Sequence, residues 1–161
     1  NYHFGSKSAL IEEVFRRRLD TLNGERKQAL DRVAGRPDTT LEQVLDAYIR
    51  PALRLSHEGG GSLFMRVLAR AFAEHNDSLR KFLAENYGHI TRQFGAELAR
   101  LLPHLSKEEL YWRFDLLTGA MVHAMSGFGI IRRRDNVTES AHYEQTVQHV
   151  IRFSLAGLSQ P

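Results

Sequence analysis

The chain has 161 residues, of which 42% are hydrophobic and 25% charged, a composition typical of one soluble globular domain with a sizeable core. A formal net charge of +3 makes the chain mildly basic rather than intensely basic. The absence of cysteine excludes disulfides, a thiol redox switch and a cysteine-based zinc site, and it fits a reducing cytoplasm.

Residues 2–10 form an aromatic and basic cluster followed by a predicted helix start, and they read Tyr-His-Phe-Gly-Ser-Lys-Ser-Ala-Leu. Gly5 ends the cluster, Ser6 is suited to cap a helix, and Lys7 lies in the first turn. Helix N-terminal amides beside a flexible cation suit a phosphate. From its residues alone, the segment is either a phosphate-binding element or an ordinary helix start.

The order of residue types in this segment resembles the signature of TetR/AcrR-family transcriptional regulators. In that family Tyr-(Tyr/His)-(His/Tyr)-Phe closes the recognition helix and Gly-Ser-Lys-(Glu/Asp)-Ala-Leu opens the next one. Ser8 departs from the pattern, because the family usually has an acidic residue there. The resemblance implies that residues 1–5 are the remnant of a helix-turn-helix DNA-binding domain otherwise missing from this chain. Residues 6–161 are then expected to be a ligand-binding and dimerisation domain.

The same resemblance implies roles for individual residues near the N-terminus. Tyr2, His3 and Lys7 are expected to contact DNA phosphates, which position a protein without reading base sequence. Phe4 is expected to lie in the core. The expected partner is operator DNA, bound through the missing N-terminal domain.

Hydrophobic residues recur at helical spacing along the chain and no alternating strand pattern appears, so the predicted fold is all-α with about six helices. The first helix is predicted to start after Ser6 and to end near Ala34, because Gly35 and Pro37 follow. Asn23-Gly24 could form a turn inside it, but the flanking strong helix formers favour one continuous helix.

The second helix is predicted to open at Thr40, with Gln43 completing a capping box and Pro51 kinking the helix. The Gly-Gly-Gly-Ser sequence at 59–62 predicts a loop. A shorter third helix follows, with one apolar side made of Phe64, Leu68, Ala71 and Phe72.

A long fourth helix is predicted from Asn76 or Asp77 to just before Pro103. Ser106 and Glu109 predict a second capping box, and Leu105 with Leu110 has the spacing of a hydrophobic staple.

The fifth helix is predicted to run from this cap to about Arg133. Its uncharged part, residues 116–131, contains polar and glycine residues and is shorter than a membrane span, which predicts a helix surrounded by protein. A last helix is predicted after the polar residues 132–140.

The resemblance implies that the last two helices meet their symmetry mates in a four-helix bundle, which makes the protein a homodimer. The alternative is that both helices simply complete the core of one chain. The interface candidates are apolar residues of these helices: Phe114, Leu117, Val147, Val150, Ile151, Leu155 and Leu158.

Family members hold small molecules between their central helices, and this chain has aromatic and sulfur side chains where such a pocket would form. For each of these side chains, plain core packing is the alternative. Polar residues within apolar stretches could orient an anionic or carbonyl-bearing ligand, or could be satisfied structural residues. The full set of pocket candidates is Phe15, Tyr48, Phe64, Met65, Arg66, Arg70, Phe94, Arg113, Met121, His123, Met125 and Phe128.

Catalytic and metal-binding motifs are not recognisable in the sequence. The chain has eight histidines, but none has a strong ligand spacing; His142 and His149 could share a helix face, without an obvious third ligand. We therefore predict no catalytic residue, no metal and no cofactor. The resemblance implies a bacterial, cytoplasmic repressor that binds operator DNA as a dimer and is released by a small, largely apolar inducer. The alternative is a helical protein–protein interaction module without a small-molecule ligand.

Overall fold

A computed structural model describes residues 7–57, 64–66, 68, 70, 77–127 and 129–160. Its long helices are α1 (Lys7–Val33), α2 (Leu41–His57), α3 (Asp77–Leu101), α4 (Lys107–Ser126) and α5 (Glu139–Ser159). Residues 64–66, 68 and 70 are helical as well, and these described ranges contain no strand. The predicted all-α fold is confirmed.

Helix α1 is continuous through Asn23-Gly24, as predicted. The buried Asn23 side chain donates to the Leu19 carbonyl at 2.9 Å, so its amide is satisfied within the helix. The chain leaves the helix at Gly35, whose φ of 73° lies in the left-handed region that favours glycine.

The two predicted capping boxes form to different extents. At α2, the Thr40 amide donates to Gln43 Oε1 at 2.9 Å and the Gln43 amide donates to Thr40 Oγ1 at 3.2 Å, so the box is complete. At α4, Ser106 Oγ accepts from the Glu109 amide at 3.1 Å. The Glu109 carboxylate accepts a hydrogen bond from Arg113 Nε at 2.6 Å, one turn further along the helix, and this contact takes the place of the second half of the capping box.

The predicted end of the fifth helix at about Arg133 is wrong, because α4 ends at Ser126. Gly127 adopts the left-handed conformation with φ 70° and forms the C-cap. Arg132 Nη1 then donates to the Gly127 carbonyl at 2.6 Å and closes the turn. The uncharged run beyond Gly127 extended the apolar pattern past the true helix end.

Helix α2 is central, since it packs against α1, α3, α4 and α5. Val44, Ile49, Ala52 and Leu53 have no exposed surface, which accounts for its position. The C-terminal ends of α2 and α4 meet the N-terminal half of α5, and this junction positions the candidate site. Among the described helices, none has the length and apolarity required to cross a membrane.

Candidate ligand-binding site

A cleft of about 860 Å³ lies between the C-terminal ends of α2 and α4, the N-terminal half of α5 and the segment 129–133. This volume is in the range that small-molecule sites occupy, and mixed apolar and polar walls are typical of such sites. The apolar wall includes Met125, Ile130, Ile131 and Val150, and the polar wall includes Ser56, His57, His123, Arg132, Arg133, Glu139, His142, Thr146 and His149.

The polar wall is held in place by contacts to the backbone and to neighbouring rings. His57 Nδ1 is 3.1 Å from the Leu53 carbonyl, and its ring lies edge-on to Tyr143 with the centroids 5.1 Å apart. Arg133 Nη1 donates to the Val137 carbonyl at 2.7 Å, which fixes the segment that leads into α5. In the part of the chain that the structure describes, no group of three or more His, Cys, Asp or Glu could hold a metal ion.

The sequence-predicted pocket residues lie in several different parts of the structure. Met125 and His123 line the cleft. Most of the aromatic and sulfur residues pack in the core instead: Phe15, Tyr48, Phe64, Met65, Phe94 and Met121 are all buried. Arg66 and Arg70 are exposed on the short helical segment, and Phe128 lies outside the described residues.

Arg113, another pocket candidate, lies at the opposite end of α5 from the cleft. Its Nη1 donates to the carbonyls of Gly157, Leu158 and Gln160 at 3.1, 3.3 and 2.5 Å. These carbonyls belong to the last turn of α5, whose acceptors have no partner further along the helix. Arg113 therefore ties the start of α4 to the end of α5.

The residues predicted for a dimer interface lie inside the single chain. Phe114, Leu117, Val147, Val150, Ile151 and Leu158 are buried, and Leu155 is half-buried against the same core. The large apolar side chains that α4 and α5 expose are different ones: Tyr111, Trp112, Leu116 and Phe153. The expectation that protein surrounds α4 therefore does not hold within one chain.

The core contains a functional candidate that the sequence analysis missed, Arg26 of α1. This buried side chain places its guanidinium 3.9 Å from the centroid of the Tyr48 ring, and its Nε donates to the Tyr48 carbonyl at 2.9 Å. Its Nη2 donates to Met121 Sδ at 3.5 Å. Burial lowers the pKa of Arg26 from its ordinary value, because desolvation disfavours the charged form.

Helical spacing could have identified Arg26. Leu19, Leu22 and Leu30 form the buried stripe of α1, and Arg26 occupies the position between Leu22 and Leu30 in that stripe. A charged residue at a core position of an apolar stripe is rare, and it indicates either a buried partner or a functional role.

The predicted DNA contacts fall at the edge of the described structure. Tyr2 and His3 lie outside the described residues, and Lys7 is the first residue of α1. Their assignment stays a prediction.

A family model described as the tetracyclin repressor-like C-terminal domain matches residues 46–157. The matched range begins within α2 and extends into α5, so it contains the cleft and the exposed faces of α4 and α5. No curated protein matches the chain. Because the family model covers most of the chain, the protein belongs to the TetR family of transcriptional regulators.

Proposed function

We propose that this chain is the ligand-binding and dimerisation part of a bacterial repressor that binds operator DNA as a homodimer and is released by a small, largely apolar inducer. The observation that carries the proposal is the family match across α2–α5. In this proposal residues 1–5 end the DNA-binding domain, residues 6–161 form the regulatory domain, and Tyr2, His3 and Lys7 contact phosphates. The protein acts in the cytoplasm as a regulator rather than as an enzyme.

The proposed dimer interface is the exposed apolar face of α4 and α5. Trp112, Leu116 and Phe153 are 61%, 66% and 69% exposed in the single chain. Large apolar side chains grouped on a surface are typical of interaction sites. A Cβ placed on Gly119 or on Gly157 would meet nothing within 4 Å, so both helices leave space for close approach by another helix. This face replaces the buried residues of the sequence prediction.

The proposed inducer site is the cleft, whose apolar wall suits a largely apolar molecule. The cleft joins α2 and α4, and α2 packs along α1, the helix that leads toward the DNA-binding end. An inducer that prefers one arrangement of these helices would shift the population of that arrangement. Couplings of about 1–3 kcal/mol between two sites are typical of such regulators.

The dimer is tested by placing a charge on its proposed interface. Leu116→Glu is expected to convert the dimer to a monomer, because an unpaired carboxylate would be desolvated in the interface. Val14→Glu is the matched control, since Val14 is a half-exposed apolar residue on α1. Light scattering gives the mass of each variant. An unchanged dimer in Leu116→Glu would place the interface elsewhere.

DNA binding is tested with the complete gene product and its own promoter region as salt is raised. A dimer whose affinity falls steeply with salt would support the regulator proposal, since phosphate contacts release counterions. A monomer without affinity for that DNA, together with a specific protein partner, would favour the interaction module instead.

A further inference from the structure

A positive charge lies within the apolar core between α1, α2 and α4, and no carboxylate of the described residues faces it. Arg26 contacts the Tyr48 ring, the Tyr48 carbonyl and the Met121 thioether. An arginine side chain stays protonated in proteins, so the charge is present in the folded state. A buried charge without a counter-ion is costly, and structural arginines are therefore normally paired.

We propose that Arg26 binds the carboxylate of the inducer, whose apolar part occupies the cleft. This inference rests on the proposed function and names the chemical class of its ligand, an apolar molecule that ends in a carboxylate.

Two helices lead from the cleft to Arg26. On α2, Ser56 lines the cleft, and the buried Ala52 and Tyr48 follow on the same face at intervals of one turn. On α4, Met125 lines the cleft, and Met121 lies one turn deeper. At 1.5 Å per residue, Tyr48 lies about 12 Å from Ser56 along α2, and Met121 lies about 6 Å from Met125 along α4. The cleft is lined by Ser56 and Met125 and not by these deeper residues, so a ligand reaches Arg26 only when the side chains packed between them move.

One contact of Arg26 is weak enough for an anion to replace it. Its Nε is engaged by the Tyr48 carbonyl, but its Nη2 faces Met121 Sδ, and a thioether is a weak acceptor. A carboxylate accepts much stronger hydrogen bonds from a guanidinium, often two at once. Methionine is unbranched and flexible, so the Met121 side chain is suited to move aside for the ligand.

The test compares dodecanoate with 1-dodecanol, which have the same alkyl chain and differ in charge. Calorimetric titration of the full chain below micelle-forming concentrations gives both affinities. We expect wild type to bind dodecanoate more tightly than 1-dodecanol. Arg26→Met should weaken dodecanoate binding by about 10- to 100-fold, as the loss of hydrogen bonds to a charged group would. Binding of 1-dodecanol should be unchanged.

Two further variants keep the test decisive. Arg32→Met makes the same substitution at an exposed position of α1, and it should bind both probes as wild type does. Arg26→Lys keeps the charge without the planar fork, so it should retain part of the preference for dodecanoate even if Arg26→Met does not fold. The inference is overturned if neither probe binds wild type, if wild type does not prefer the carboxylate, or if the Arg26 variants keep the full preference.

Failure of this inference is distinguishable from failure of the proposed function. Dimer mass and promoter binding are measured without either probe. A dimer that binds its promoter but ignores dodecanoate would overturn the assignment of Arg26 and leave the regulator proposal standing.

Discussion

Two arginines contact α2 in opposite ways. Arg50 projects from α2 toward the surface, where its Nη1 donates to Glu144 Oε2 at 2.6 Å and its Nη2 lies 2.8 Å from Asp46 Oδ1. Hydrogen bonds to Glu144 and then to Asp46 raise the pKa of Arg50 above its ordinary value. Arg26 reaches α2 from the core side, where an aromatic ring and a carbonyl replace the carboxylates and desolvation lowers its pKa.

The comparison distinguishes a structural charge, that of Arg50, from a proposed ligand-binding charge, that of Arg26. The Arg50 cluster joins α2 to α5. The charge of Arg50 is balanced there by the carboxylates of Asp46 and Glu144 from the same chain. Arg26 is placed by aromatic stacking and one carbonyl, with its charge uncompensated by the described residues. The free-energy cost of burying such a cation falls when a ligand supplies an anion that pairs with it.

The largest expected effect comes from removing the ring on which Arg26 lies. Tyr48 also packs against Phe94 and Phe114 with centroid separations of 5.0 and 5.1 Å. Tyr48→Ala is expected to lower the free energy of unfolding by about 3–5 kcal/mol, as large aromatic-to-alanine core substitutions do. Urea denaturation measures this value. Tyr111→Ala, at an exposed position, is the control, and a similarly small loss at both positions would contradict the central role of Tyr48.

The Arg50 cluster is expected to contribute less, because its carboxylates are partly exposed. Arg50→Met should lower the free energy of unfolding by about 1 kcal/mol, since two largely solvent-screened pairs are lost. The loss should shrink in high salt. Lys81→Met removes a single pair of 3.8 Å between exposed side chains and should have almost no effect. Equal losses in the two variants would show that Arg50 adds nothing beyond a surface pair.

Acid should weaken the Arg50 cluster and leave the Arg26 region unchanged. The hydrogen bond from Arg50, and then that from Gln148, lowers the pKa of Glu144. The contribution of Glu144 is therefore fully present above the unfolded-state pKa of about 4.3 and is lost as pH falls through the lower folded-state pKa. Urea midpoints of Glu144→Gln should differ from wild type at neutral pH and converge with it in acid. A pH-independent difference would contradict the carboxylate's role.

Of the two arginines compared, Arg26 is expected to contribute less to stability than Arg50. Replacing a buried charge with an apolar side chain of similar length is often neutral or stabilising, so the free energy of unfolding should stay within about 1 kcal/mol of wild type or rise. Urea denaturation provides the measurement. A loss as large as that of Tyr48→Ala would mean that Arg26 is a structural element of the core.

Local signals in the sequence predicted the helix boundaries well. The Thr40–Gln43 pair, Ser106 and Gly35 each fix a helix end through contacts with near neighbours in the chain. The end of α4 was missed because the apolar pattern continues beyond Gly127.

The site depended on packing that periodicity does not specify. From Leu116 onward α4 is apolar on nearly every face, so the pattern could not distinguish Leu117, which faces the core, from Leu116, which faces outward. The cleft unites His57, His123 and His142 from three different helices, and their approach is a property of the tertiary arrangement.

A crystal structure of the protein with dodecanoate tests most directly whether the guanidinium of Arg26 binds the carboxylate of the ligand. The account predicts carboxylate oxygens about 2.7–2.9 Å from guanidinium nitrogens of Arg26, with Met121 Sδ displaced and the alkyl chain extending into the cleft. A carboxylate bound instead beside Arg132 and Arg133, with the contact between Arg26 and Met121 intact, would contradict it.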